Sequence, residues 1–186
     1  QGVSSAASDV YKRQIEGQFE MLKLYCQELD EALHRKAISA EIWSKMLISA
    51  NKGGFTLLMS ALFKGDSQNL NLLWDRVDSA LTTGLIDKTQ YANLLIQENN
   101  AGFTPLNQAI KSKILPSLQF YFGKLEYAYE HHMISAHQYR KALIWPNNAG
   151  FTPFLQAVKS GTYLILDAYL KMIYKALEAD IISAHD

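Results

Sequence analysis

Cysteine is nearly absent: Cys26 is the only one in 186 residues, so no disulfide forms within the chain. A chain of this kind suits a reducing, cytoplasmic-type compartment. Charge of one sign is lacking too, because 18 basic and 18 acidic side chains cancel and no run of Lys and Arg occurs. Nucleic-acid affinity rests on clustered cations that release counterions, so no nucleic-acid partner is expected. No apolar run approaches the roughly 20 residues of a membrane helix, and no membrane partner is expected either. Dinucleotide-binding, phosphate-loop and nucleophile-elbow motifs are missing. The expectation is therefore a protein without cofactor, metal or catalytic residues.

What the chain does have is an internal repeat. Gly-Phe-Thr stands at Gly54-Phe55-Thr56, again at Gly102-Phe103-Thr104 and again at Gly150-Phe151-Thr152, each copy 48 residues after the last. The register holds through the rest of the unit: Leu22, Leu70, Leu118 and Leu166 correspond, as do Ala32, Ala80, Ala128 and Ala176, and Ile38, Ile86, Ile134 and Ile182. Trp43, Tyr91 and Tyr139 share a position, and so do Leu47, Leu95 and Leu143. A fixed period of this length marks a repeat architecture.

Each unit reads as three helices. The first opens at Thr104-Pro105, where the Thr hydroxyl suits the N-cap and Pro suits the first turn, and it ends near Lys113. Gly65 and Gly161 hold the equivalent closing position, where a left-handed cap favours Gly. The second helix covers roughly Leu115 to His132. One unit earlier its apolar residues, Leu70, Leu73, Trp74, Val77, Ala80 and Leu81, follow amphipathic spacing. The third begins at Ser135 and runs to about Trp145. Ser135 with Gln138, and Asp87 with Gln90, have capping-box spacing. Pro146-Asn147-Asn148-Ala149-Gly150 then forms a turn-rich connector.

The segment Asn99-Asn100-Ala101-Gly102-Phe103-Thr104-Pro105-Leu106, followed by Ala109, resembles the ankyrin repeat. That family's signature reads Asp or Asn, two residues, Gly, one residue, Thr-Pro-Leu-His, one residue, Ala, three residues, Gly. Asn147, Gly150, Thr152, Pro153, Ala157 and Gly161 match it, and so do Asn51, Gly54, Thr56, Leu58, Ala61 and Gly65. Ankyrin units have about 33 residues, so these longer units gain in the outer helix and in an inserted third helix. The family His is replaced by Met59, Asn107 and Leu155, Leu57 replaces Pro in one unit, and Phe154 replaces Leu in another. The resemblance implies an all-α, ankyrin-like α-solenoid with three helices per 48-residue repeat joined by Gly/Asn/Pro turns. Long units of this kind are similar to those of effector proteins of intracellular bacteria.

The expected organisation is an artefactual or disordered tail over 1–14 and a repeat array over 15–186. The array divides into a partial unit 15–50, units 51–98 and 99–146, and a truncated unit 147–186. Neither end carries a polar capping repeat, so the reading is a fragment of a longer array.

Several residues invite a chemical reading and receive a plainer one. His131 and His132, with His137 nearby, point to different helix faces and read as exposed helix-end residues; His137 and His185 are repeat equivalents. Cys26 aligns with Trp74, Phe122 and Leu170, so it reads as packing. Asp75, Asp78, Glu126 and Glu130 fall at solvated-face spacings, and Gly53-Gly54 belongs to the repeat turn. The recurring aromatics read as packing between units. Trp145 is different, since its equivalents are Gln97 and Ser49, and an exposed aromatic there would suit an interface anchor.

In ankyrin repeats partners lie on the turn tips and the inner-helix face. By position, the resemblance implies a protein-binding surface that includes Lys52, Asn100 and Asn148 at the tips. On the inner helices it implies Met59, Asn107, Gln108, Lys111, Leu155, Gln156 and Lys159, with Trp145 beside them. The expected function is a protein–protein interaction scaffold. The alternatives are the targeting or substrate-recognition arm of a larger enzyme or secreted bacterial effector delivered into a host cell, and a structural array that self-associates end to end through its uncapped repeats.

Overall fold

The computed structural model describes residues 20–183. The tail expected over 1–14 lies outside the described residues, as do residues 15–19 of the partial unit and 184–186 of the last one. Among the described residues are ten helices and no strand, apart from an isolated bridge between Ala50 and Thr56. They are α1 (20–34), α2 (Ala40–Ile48), α3 (Leu57–Lys64), α4 (Ser67–Thr82), α5 (Lys88–Ile96), α6 (Pro105–Ser112), α7 (Leu115–Glu130), α8 (Ala136–Ile144), α9 (Pro153–Ser160) and α10 (Tyr163–Glu178).

The period of the sequence is the period of the helices. α3, α6 and α9 each have 8 residues, α4, α7 and α10 each have 16, and α2, α5 and α8 each have 9. Local chemistry accounts for these limits. Thr56, Thr104 and Thr152 cap the short inner helices, each hydroxyl accepting a backbone N–H three residues on. Pro105 and Pro153 follow at the first helical position. Gly65, Lys113 and Gly161 close the same helices in the left-handed conformation. The capping boxes at Asp87–Gln90 and Ser135–Gln138 are both formed, with a further one at Thr104–Asn107. After each 16-residue helix, the N–H of Ile86, Ile134 or Ile182 donates back to the carbonyl of Ala80, Ala128 or Ala176. This contact, with the burial of both residues, explains why Ala and Ile recur together.

Packing follows the same order. α3 lies against α6, and α6 against α9. α4 lies against α7, and α7 against α10. Helices of one kind therefore meet across units, and one apolar core runs from Leu29 to Ile182. Leu106, Ile110, Leu118 and Leu125 are wholly enclosed in it, each such burial favouring the fold by about 1.5–3 kcal/mol. The recurring aromatics Trp43, Tyr91 and Tyr139 are all buried, as are Trp74, Tyr121 and Tyr169. The hydroxyls of Tyr121 and Tyr169 also bond across helices, donating to the carbonyls of Leu95 and Leu143 at 3.0 Å. Burial pushes both phenols above their usual range.

Candidate partner-binding surface

The turns before the inner helices are built alike. In each, the Oδ1 of Asn51, Asn99 or Asn147 accepts two backbone N–H groups, those of Gly53 and Phe55, Ala101 and Phe103, or Ala149 and Phe151, at 2.9–3.0 Å. Gly102 stands at φ +77°, and a Cβ there would lie 2.6 Å from the backbone nitrogen of Asn148 in the next turn. That close approach lets the turns join. Asn100 donates its N–H to Gly53 O at 3.1 Å and its side-chain Nδ2 to Lys52 O at 2.8 Å. Asn148 repeats the pattern on Ala101 O and Asn100 O. Lys52, Asn100 and Asn148 are exposed at the tips, as expected of a surface. The side-chain amides of Asn100 and Asn148, however, hold one turn to the next.

The inner helices bring a clear correction. Met59, Asn107 and Gln108 are expected on the open face, yet they are 0, 2 and 3% exposed. Asn107 faces the following unit, donating Nδ2 to Gln156 Oε1 at 2.7 Å, while its Oδ1 accepts from Thr104 N at 2.8 Å. Asn107 thereby ties its own turn to the next unit, whereas Met59 in the same register is apolar filling. Leu155, again in that register, is 42% exposed, because no further inner helix follows α9 among the described residues. Register alone does not make a position available for recognition; the next unit decides.

Lys111 and Lys159 are exposed and Gln156 is half-buried. These three line an open groove of about 340 Å³ with Phe103, Ile110, Lys113, Phe151 and Ser160. Lys111 Nζ lies 3.6 Å from the centre of the Phe103 ring, and Lys159 Nζ lies 3.9 Å from that of Phe151. Partial burial holds the Lys111 ammonium below the usual lysine range. Sequence reasoning missed Phe103 and Phe151 because they belong to the invariant Gly-Phe-Thr and look like scaffold. It missed Lys113 as a surface residue because that position is a helix cap. The available signal was that Gly stands there in the other two units.

Trp145 is 46% exposed, edge-on to His137 at 5.6 Å between ring centres, with Lys141 Nζ 5.0 Å from its ring. It lies outside the groove lining. His131 and His132 are exposed at the end of α7, and the His131 ring stacks on Tyr127 at 3.9 Å. Cys26 is buried, and desolvation raises its thiol pKa. Asp78 and Glu126 prove to be more than solvated carboxylates. Asp78 takes the Tyr91 hydroxyl at 3.1 Å and Lys124 at 3.3 Å, and Glu126 takes Lys175 at 2.6 Å. Among the described residues no group of three or more His, Cys, Asp and Glu stands close enough to hold a metal ion, and no helix is long and apolar enough to cross a membrane. Comparison with known proteins finds no matching family model, no similar curated protein and no similar solved structure.

Proposed function

We infer that this chain is a protein–protein interaction scaffold, an ankyrin-like α-solenoid whose inner-helix side is its recognition surface. The observation that carries this reading is a division between two kinds of position. Residues that recur at 48-residue spacing are mostly buried, or bonded within and between turns. Exposed residues on the inner helices change identity on an unchanged backbone, from Phe63 to Lys111 and Lys159. Stacked units stabilise one another through their shared faces, which leaves the remaining side chains able to vary without disturbing the fold. The Asn-anchored turn, the Thr cap and the left-handed Gly support the ankyrin-like part of the reading.

The test is a set of substitutions confined to exposed or half-exposed side chains. Lys111→Ala and Lys159→Ala together should weaken a partner captured by the 186-residue chain by roughly tenfold or more, the size typical of truncating interface hot spots. Helicity by circular dichroism should not change. A partner that binds the double variant as tightly as the parent would reject this surface.

A further inference from the structure

We propose that the groove between α6 and α9 receives an acidic peptide segment of a partner protein. An apolar side chain of that segment rests on Phe103 and Phe151, and flanking carboxylates meet Lys111, Lys113 and Lys159. The inference rests on the scaffold reading and adds the chemistry of the partner.

Charge placement is the first support. Three lysines line the groove and no Asp or Glu does. None of the three has a carboxylate within 4.0 Å among the described residues; Lys36, Lys52, Lys64 and Lys88 share that state singly, and the groove is where three such lysines line one cavity. The chain as a whole is neutral, so this local excess reflects arrangement and not composition. Lys111 and Lys159 lie in the last turns of their helices, where the helix dipole favours a cation. The same end favours a cation at the cap residue Lys113, but it does not account for a side chain standing there at all. Lys113 closes α6 at φ +60°, the conformation that Gly65 and Gly161 adopt at the ends of α3 and α9. A Cβ is disfavoured there, and glycine is the ordinary solution. Among the described inner helices, α6 alone ends in a side chain, and that side chain is a cation.

The lining also selects among anions. Phe103 and Phe151 supply an apolar floor beside the ammonium groups. A bare anion makes no use of such a floor, whereas a peptide alternating carboxylate and apolar side chains does. Three cations on an otherwise balanced chain fall short of the extended basic track that a nucleic acid needs. The groove is open between two helices, so a chain segment can lie along it. A carboxylate arriving at Lys111 would offset the desolvation that its present site imposes.

The experiment pans a phage-displayed library of random peptides against the 186-residue chain. Parallel selections use Lys111→Gln/Lys159→Gln and Lys113→Gly. The parent should enrich peptides with two or more Asp or Glu around an aromatic or aliphatic residue. Synthetic versions should bind the double variant at least tenfold more weakly, and their affinity should fall as salt rises. Lys113→Gly should weaken them several-fold while its melting temperature stays level or rises, which separates lost contact from lost fold. Enriched peptides without acidic excess, or equal binding to the double variant, would overturn the acidic-groove proposal and leave the scaffold reading standing. No enrichment on any of the proteins would count against both. Inorganic phosphate titrated alone is the remaining arm. Binding of phosphate with no peptide enriched would make the groove a small-anion site and overturn the proposal.

Discussion

The two long sides of the molecule use lysine and arginine in opposite ways. Along the outer helices, cations reach back to carboxylates of the preceding unit: Arg76 to Asp30 at 3.0 Å, Lys124 to Asp78 at 3.3 Å and Lys175 to Glu126 at 2.6 Å. Along the inner helices, Lys111 and Lys159 lie over the phenylalanines of their own turns and meet no carboxylate among the described residues. A neutral composition thus conceals one side whose charges link units and another whose charges face outward. Residues that look equivalent in a count differ in what they are available for.

The difference can be broken most severely at the turns that hold the inner helices together. Gly102→Ala places a Cβ against the Asn148 backbone and adds the left-handed penalty, so a loss of about 3 kcal/mol is expected. Gly150→Ala, at the same register but with nothing within 4 Å of the added carbon, should lose only about 1 kcal/mol. Urea denaturation of the pair measures this, and equal losses would contradict turn-on-turn packing as the cause.

Tyr121→Phe tests the buried link from a long outer helix to the preceding third helix. The Leu95 carbonyl loses its buried hydroxyl donor, and a destabilisation of about 1–2 kcal/mol should appear in thermal melting. Removing an outer ion pair should matter less. Lys175→Met leaves Glu126 unpaired at a site where the lysine is mostly exposed, so a loss below about 1 kcal/mol is expected, fading in high salt.

The smallest effect carries the sharpest contrast in sign. Burial lowers the pKa of Lys111, so the folded state disfavours its charged form at neutral pH. Lys111→Met removes that penalty together with the contact to the Phe103 ring, so its stability relative to the parent is most favourable at neutral pH. That relative stability should fall as pH rises through the depressed folded value toward 10.5, where the parent's folded state has already lost the proton. Lys175 runs the other way: its hydrogen bond to Glu126 raises its pKa, so its stabilisation is complete below 10.5 and is lost as pH climbs through the higher folded value. Melting curves of both variants against the parent across alkaline pH would show opposite trends. Parallel trends would mean that the two sides do not differ electrostatically.

Helix boundaries were legible because each is set by a few neighbouring residues. Thr104 and Pro105 start a helix whatever lies above them, and Ser135 with Gln138 closes its own capping box. The recurring Leu, Ala and Ile marked the core for the same reason, since amphipathic spacing is a property of the helix itself. The open groove was only half legible. Lys111, Gln156 and Lys159 line it, but Met59, Asn107 and Gln108 were placed beside them by register although they are buried. Phe103, Phe151 and Lys113 were overlooked because one reading took them for repeat scaffold and the other for a cap.

The sequence by itself determined the 48-residue period, the three helix lengths and the turn that joins the units, because these depend on hydrogen bonds and caps a few residues apart. Only the tertiary structure decided which variable side chains reach solvent. Met59 and Asn107 vanish beneath a following helix while Leu155 does not, and the groove between α6 and α9 gathers Phe103, Lys111 and Lys113 with Phe151 and Lys159 from the next unit. Burial and the meeting of side chains 48 residues apart are set by the neighbouring unit, which no local pattern describes.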